Sequence, residues 1–398
     1  MRVLLFTGKG GVGKTTTSAA TAAYAAARGH KTLVLSTDPA HSLADAFGMP
    51  LADVPTEIDT GLYGQQVDGQ RAFETSWRSI QGYLRELLQQ GGIAPLEAEE
   101  LTVLPGAEEV LALLELRNQV AGGRWDVVVV DCAPTGETLR LLALPEALQW
   151  WMQRLYPVDR RVMRSVRPVL SHLAGLPLPP DEVFAAAQRL ADELAEVRTL
   201  LVDPASTSVR LVLTPESMVV AEARRTLTAL SLFGYRVDGI VANRIFPDAE
   251  SDAWRDGWVA RQSERMAEVL ASFPGVPVWK SPYAAAEPLG LDALGAFADS
   301  AYAAAGADPL ELTAVADPIA VERVSNDEYV MAIALPHADR DEVELVRKGD
   351  DIVVTVGSYR RVIALPSVLR RCLVDGAALR DGALRVRFSA DPAVWSRT

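Results

Sequence analysis

Residues 8–16 read Gly-Lys-Gly-Gly-Val-Gly-Lys-Thr-Thr and follow directly on the apolar run Val3–Thr7. This spacing satisfies G-x-x-x-x-G-K-[ST], placed between a strand-like run and a helical stretch from Thr16 to Arg28. Backbone N–H groups of Gly8, Lys9, Gly10, Gly11, Val12 and Gly13 can turn inward around a polyphosphate, and the helix N-terminus at Thr16 adds positive potential. Lys14 would neutralise phosphate charge and Thr15 would offer its hydroxyl to Mg²⁺. The pattern predicts a nucleoside triphosphate site with Mg²⁺ as the expected metal.

Lys9 narrows the reading. The chain has 5 lysines against 34 arginines, and two of the five lie in this one loop. A chain that otherwise prefers arginine keeps lysine where a compact charge on a flexible stem is useful.

Two carboxylates complete the set. Asp38-Pro39-Ala40-His41-Ser42 follows the run Thr32–Ser36, so Asp38 should sit at a strand end, where it can orient the water that attacks the γ-phosphoryl group. Val127–Val130 delivers Asp131 to the outer shell of the Mg²⁺. Cys132-Ala133-Pro134-Thr135-Gly136 then reads as a switch, with Gly136 able to move when the γ-phosphate leaves.

The elements that must hold these residues read as a doubly wound α/β fold with a mostly parallel sheet. Val3–Thr7, Thr32–Ser36, Val127–Val130, Val209–Leu213 and Val237–Ala242 are short, β-branched and apolar, as buried parallel strands are. Ser217–Leu232 and Trp254–Ala271 read as helices between them. Insertions at about 70–121 and 141–204 also read as helical and are expected to form a subdomain above the nucleotide. Leu148, Trp151, Met152 and Leu155 repeat at helical spacing and are candidates for a client groove. After a linker at 306–322, β-alternation over Tyr329–Leu335, Val343–Val346, Ile352–Val356, Arg361–Leu365 and Leu384–Phe388 predicts a small all-β sandwich at 323–390. The ATPase domain is expected at 1–305.

Together, Gly8–Thr16, Thr37–Ser42 and Asp131-x-Ala-Pro-Thr-Gly-x-Thr-Leu-Arg resemble the arsenical-pump and tail-anchored-protein-targeting ATPases, a P-loop family with a signature lysine. Thr214-Pro215-Glu216, Asn243-Arg244 and Ser281-Pro282 to Gly290 extend the match over about residues 1–305. The resemblance implies a nucleotide-driven homodimer in which Asp38 activates water and Lys9 reaches the partner's nucleotide. It also implies a switch containing Asp38, Pro39, Ala40, His41, Asp131, Pro134, Thr135 and Gly136, with Asn243 and Pro215 framing the adenine. The C-terminal runs resemble the α-crystallin domain of small heat-shock proteins, which points to a bacterial-type branch of the family. Glu137 and Cys132 depart from the family's usual switch residues, His and Thr.

Composition narrows the partners. Net charge is −13, against nucleic acid as a main partner, and no apolar run is long enough to span a bilayer. Cys132 and Cys372 are the only cysteines, so neither zinc nor an arsenite-binding triad is expected. The expectation is a cytoplasmic ATP-hydrolysing homodimer that binds a hydrophobic client segment without stable membrane insertion. The alternatives are an arsenite-pump motor and a positional switch ATPase of the septum-site and plasmid-partition kind.

Overall fold

A computed structural model describes residues 1–37, 42–67, 82, 107–132, 181–247, 252–303, 308–313 and 315–394. The expectations for Asp38 to His41, for Pro134, Thr135, Gly136 and Glu137, and for Leu148, Trp151, Met152 and Leu155 lie outside the described residues.

An eight-stranded sheet forms the centre. Its strands are β1 (Arg2–Thr7), β2 (Thr32–Ser36), β3 (Thr56–Asp59), β4 (Leu62–Gln66), β5 (Val127–Asp131), β6 (Thr207–Leu213), β7 (Val237–Ile245) and β8 (Val278–Pro282), in the spatial order β3-β4-β2-β5-β1-β6-β7-β8. Every neighbouring pair is parallel except β3 with β4. β1 lies between β5 and β6, so the chain leaving β1 enters the crevice at the carboxyl ends of the strands, where the winding reverses. The apolar runs of β1, β2, β5 and β6 are buried throughout, since helices cover both faces.

Helix α1 (Lys14–Ala27) is alanine-rich, which favours helix and lets its backbone approach the sheet closely. Helix α2 (Ser42–Phe47) follows β2, and α3 (Ala107–Ala121) precedes β5. Helices α4 (Asp181–Leu201), α5 (Ser217–Leu232), α6 (Ala253–Ser272) and α7 (Leu291–Tyr302) complete this region. α7 packs on α1 through the Thr21–Tyr302 hydroxyl pair at 2.6 Å and an edge-on Tyr24–Tyr302 contact. Leu113 and Leu116 of α3, with Leu190, Leu194, Val197 and Leu201 of α4, belong to the core under the sheet. The described ends of the two insertions thus pack into the core of the central sheet.

The C-terminal region forms two antiparallel sheets. One holds β9 (Ile319–Arg323), β10 (Glu328–Ala334), β14 (Cys372–Arg380) and β15 (Ala383–Ala390) in the order β14-β15-β10-β9. The other holds β11 (Val343–Lys348), β12 (Asp351–Val356) and β13 (Tyr359–Ala364). A short helix, α8 (Ser367–Arg370), links β13 to β14. Inward residues such as Met331, Ile333, Ile352, Val354, Val386 and Phe388 form a second core. β9 lies partly within the span expected as linker.

This sandwich is seated on α5 and α6. Leu232, the last residue of α5, is buried in the second core, and its carbonyl accepts a hydrogen bond from the Arg361 guanidinium. Thr228 donates to the Pro336 carbonyl, and Arg236 is ion-paired with Asp317. His337 Nε2 donates to the carbonyl of Ser272, the last residue of α6, at 2.8 Å.

Candidate nucleotide site

Between β1 and α1 the phosphate loop is shaped by two close approaches. A side chain at Gly8 would place its Cβ 2.2 Å from the Val212 carbonyl oxygen of β6. At Gly13, φ is 94°, in the left-handed region, and a Cβ would meet the Asn243 amide nitrogen at 2.3 Å. Gly13 is also the N-cap of α1, which has no side-chain cap and no acidic residue in its first turn. The first N–H groups of α1 are thus left for an anion, and the helix dipole favours one there.

Lys14 is buried and its ammonium group lies 3.5 Å from the Lys9 carbonyl oxygen, folded back along the loop. Lys9 is half-buried, and its ammonium group stands 3.8 Å from a Glu222 carboxylate oxygen on α5. The hydroxyls of Thr15 and Ser42 lie 3.2 Å apart, so the first turns of α1 and α2 meet. Asp131 is fully buried at the end of β5, level with Phe6 of β1 and Ser36 of β2. The Asp131 carbonyl accepts from the Thr37 amide at 2.9 Å, which ties the chain entering residue 38 to the end of β5. Hydroxyl and carboxylate oxygens are donors that suit a hard cation, so Thr15 and Asp131 fit Mg²⁺ chemically. Among the described residues no cluster of three or more His, Cys, Asp or Glu could hold a metal by itself.

On the other side of the loop lies a cavity of about 360 Å³, bounded by Gly13, Thr16, Asn243, Arg244, Tyr283 and Glu287 within the loop that follows β8. Asn243 joins this cavity to the phosphate loop. Its Nδ2 donates to the Val12 carbonyl at 2.9 Å and its Oδ1 accepts from the Arg244 amide at 2.8 Å. Pairing of β7 with β8 slips between Ala242 and Ile245, and Arg244 has a left-handed φ of 60°. The bulge re-aims Asn243 at the loop, a recurring use of such irregularities beside functional sites. Beyond these two bonds, the amide has a second Nδ2 hydrogen and a second Oδ1 lone pair, a donor–acceptor pair of the kind that matches adenine N7 and its amino group. Pro215 is not among the residues bounding this cavity.

A family model described as anion-transporting ATPase matches residues 1–303, and one described as an HSP20-like domain found in ArsA matches residues 326–388. The chain belongs to the ArsA ATPase family. An uncharacterized protein of Streptomyces coelicolor is 40% identical to this ArsA-family chain over 400 residues, covering 100% of both. A protein of Chlorobaculum tepidum, provisionally named an arsenical pump-driving ATPase, is 35% identical over 98% of this chain and 96% of its own length. The ATPase GET3 of Mycosarcoma maydis is 29% identical over 63% of this chain and 75% of its own length. This ArsA-family chain is therefore an ATP-hydrolysing enzyme with an HSP20-like region after its nucleotide-binding fold. No helix among its described residues is long and apolar enough to cross a membrane.

Sequence reasoning matched Asn243-Arg244 and the segment 281–290 to the family but did not bring Arg244, Tyr283 and Glu287 together at a cavity, and it did not find the Lys9–Glu222 pair. Pro282 and Pro288 flanking a short segment were the available signal for a rigid wall, although no residue type there names its ligand. A buried cluster below the sheet was also missed. Asp238 Oδ2 accepts from Arg2 at 2.5 Å and its Oδ1 from Arg210 Nε at 3.4 Å, while the Arg210 guanidinium lies 4.6 Å from the Trp279 ring centre. Burial lowers the Arg2 pKa to about 10, against the pull of Asp238. Cys132 is pushed up to about 12, by burial first and by Asp131 second, so its thiol stays protonated.

Proposed function

We propose that the chain is a homodimeric targeting factor or chaperone that uses ATP-driven closure to hold a hydrophobic client segment and hydrolysis to release it. The observation that carries this reading is Lys9, a second lysine on the phosphate loop whose ammonium group is partly exposed beside Glu222, while Lys14 is buried. A charge so placed can complete a second subunit's nucleotide site and make dimerisation depend on ATP. Closure is then linked to ATP by differential affinity, since ATP binds better to the pair that Lys9 completes.

In this reading residues 1–305 are the ATPase domain, 306–322 the connection and 323–390 a client-contacting or bracing β-domain. Gly8 to Thr16 would hold the phosphates, Thr15 and, in the outer shell, Asp131 would hold Mg²⁺, and the bound ion would supply charge neutralisation at the phosphoryl oxygens. Asp38 orients the attacking water. Pro39, Ala40, His41, Asp131, Pro134, Thr135 and Gly136 respond to the γ-phosphate. Asn243 and Pro215 face the adenine side, and Leu148, Trp151, Met152 and Leu155 line the client groove. The resemblance to tail-anchored-protein-targeting ATPases supports a membrane-protein segment as client, and the resemblance of the C-terminal region to small heat-shock proteins supports an exposed apolar stretch.

The names of several relatives favour a second reading, a motor for arsenite export. Trivalent arsenic binds thiolates, and the chain's two cysteines are both buried with raised pKa values. That chemistry weighs against it. The test is a client trap: Asp38→Asn, expected to bind ATP without hydrolysing it, is crosslinked in its native cytosol and its partners are identified by mass spectrometry. ATP-dependent enrichment of proteins with apolar helices, lost in Lys14→Ala, is expected. Absence of any ATP-dependent partner, together with arsenite-stimulated hydrolysis, would replace this reading with the second.

A further inference from the structure

The role of Lys9 raises the question of what holds it before it is used. Its ammonium group stands 3.8 Å from Glu222 Oε2, and both side chains are about one-third exposed. Glu222 lies on the second turn of α5. The helix that carries it is fixed at both ends. Its entry follows β6 directly, with the Thr214 hydroxyl on the Glu216 carboxylate at 3.1 Å. Its exit is anchored by Thr228 on Pro336 and by Leu232 inside the β-domain core. Glu222 is thus presented to the phosphate loop from a helix with contacts at both ends.

We propose that Glu222 is a positioning residue that parks Lys9 in its own subunit, so that ATP and a second subunit must compete with Glu222 for the same charge. The inference rests on the reading that Lys9 acts across a dimer. While paired with Glu222, the ammonium group is directed toward α5 of its own chain. A γ-phosphate offers a greater negative charge than one carboxylate, so the exchange runs forward once ATP is bound and a partner is in reach. The contact is a partly exposed ion pair, so it acts as a bias and not a lock. Its removal should leave the bound, closed dimer as fast as before and lower only the ATP concentration at which closure occurs.

The test uses the full-length chain and two readouts across an ATP titration, hydrolysis rate and dimer fraction by sedimentation. Glu222→Gln is expected to lower the half-maximal ATP concentration for both by about two- to fivefold at low salt, with kcat at saturating ATP unchanged. Raising the ionic strength should close the gap between wild type and Glu222→Gln, because screening weakens the pair only where it exists. Glu222→Lys, which turns attraction into repulsion, should shift the midpoint further in the same direction. A variant that merely loosened α5 would instead lower kcat and the thermal midpoint together, and that pattern would overturn the proposal. Lys9→Ala separates the two levels of inference. If it abolishes ATP-dependent dimerisation while Glu222→Gln shifts nothing, parking by Glu222 is wrong and the role of Lys9 stands. If Lys9→Ala leaves dimerisation and hydrolysis intact, both fall.

Discussion

Replacing Asn243 by alanine tests whether the cavity beside the phosphate loop and the loop itself are one structural unit. Asn243 is buried and spends its amide on two backbone groups, the Val12 carbonyl at 2.9 Å and the Arg244 amide at 2.8 Å. Each such bond contributes about 1 kcal/mol net. Their joint loss removes about 2 kcal/mol from the arrangement that holds Val12 and Gly13 in register with α1. If that energy separates the phosphate-competent loop from relaxed alternatives, affinity falls by about 30-fold. The loss should appear for Mg-ATP and also for tripolyphosphate, which has no base, because both depend on the same loop. Isothermal titration with the two ligands measures it, with thermal unfolding as the control for global folding. An unchanged tripolyphosphate affinity beside a weakened ATP affinity would refute the reasoning and leave Asn243 as a reader of the base alone.

Three further outcomes follow from the same geometry. Gly13→Ala should abolish nucleotide binding, since its Cβ would sit 2.3 Å from the Asn243 amide in a left-handed backbone, whereas Gly10→Ala, with nothing within 4 Å, should bind nearly as wild type; equal loss in a fluorescent-nucleotide assay would contradict this. Asp238→Asn leaves the buried guanidiniums of Arg2 and Arg210 without their counter-charge and should cost about 3–5 kcal/mol in denaturant unfolding, with nucleotide affinity of the folded fraction retained. His337 is held neutral, its pKa lowered by burial first and further by Arg224, against the raising effect of its bond to the Ser272 carbonyl. Its contribution to seating the β-domain is therefore complete above the unfolded value of about 6.5 and is lost as pH falls through the lower folded value. The fall in thermal midpoint on acidification should be smaller in His337→Asn than in wild type.

What could be read in the sequence was what chemistry or burial forces into contiguous residues. The phosphate loop needs its glycines, Lys14 and Thr15 in one short stretch, and β1, β2, β5 and β6 are buried on both faces, so each is an apolar run. β4 escaped notice because Gln65 and Gln66 are polar yet buried, and the Gln65 amide nitrogen donates to the Glu115 carboxylate and the Asp53 carbonyl from elsewhere in the chain. β14 escaped because Gly376 and the bulge after Val374 break its alternation. Arg210 sits inside an apolar strand and makes sense only through Asp238, 28 residues on. The cavity wall is a similar case, since Asn243 and Glu287 converge from the ends of two different strands. Pairings across the fold leave no periodic trace, and so the half of the site that depends on them was not legible.

The seating of the β-domain changes what the nucleotide-binding fold can be. A domain appended by a linker would leave the ends of α5 and α6 as ordinary solvated helix termini, their last carbonyls hydrated or capped locally. Here Arg361 and His337 of the β-domain supply hydrogen bonds to the carbonyls of Leu232 and Ser272, and Leu232 lies in the β-domain core. Two helices of the ATPase region are therefore finished by residues from the other end of the chain. Any displacement of α5 must carry the sandwich with it or break this interface, which includes a buried guanidinium. The second turn of the same helix faces Lys9. A rearrangement that begins at the phosphate loop thus has a continuous, packed route to the β-domain, and a client held there would act back on the loop through the same helix.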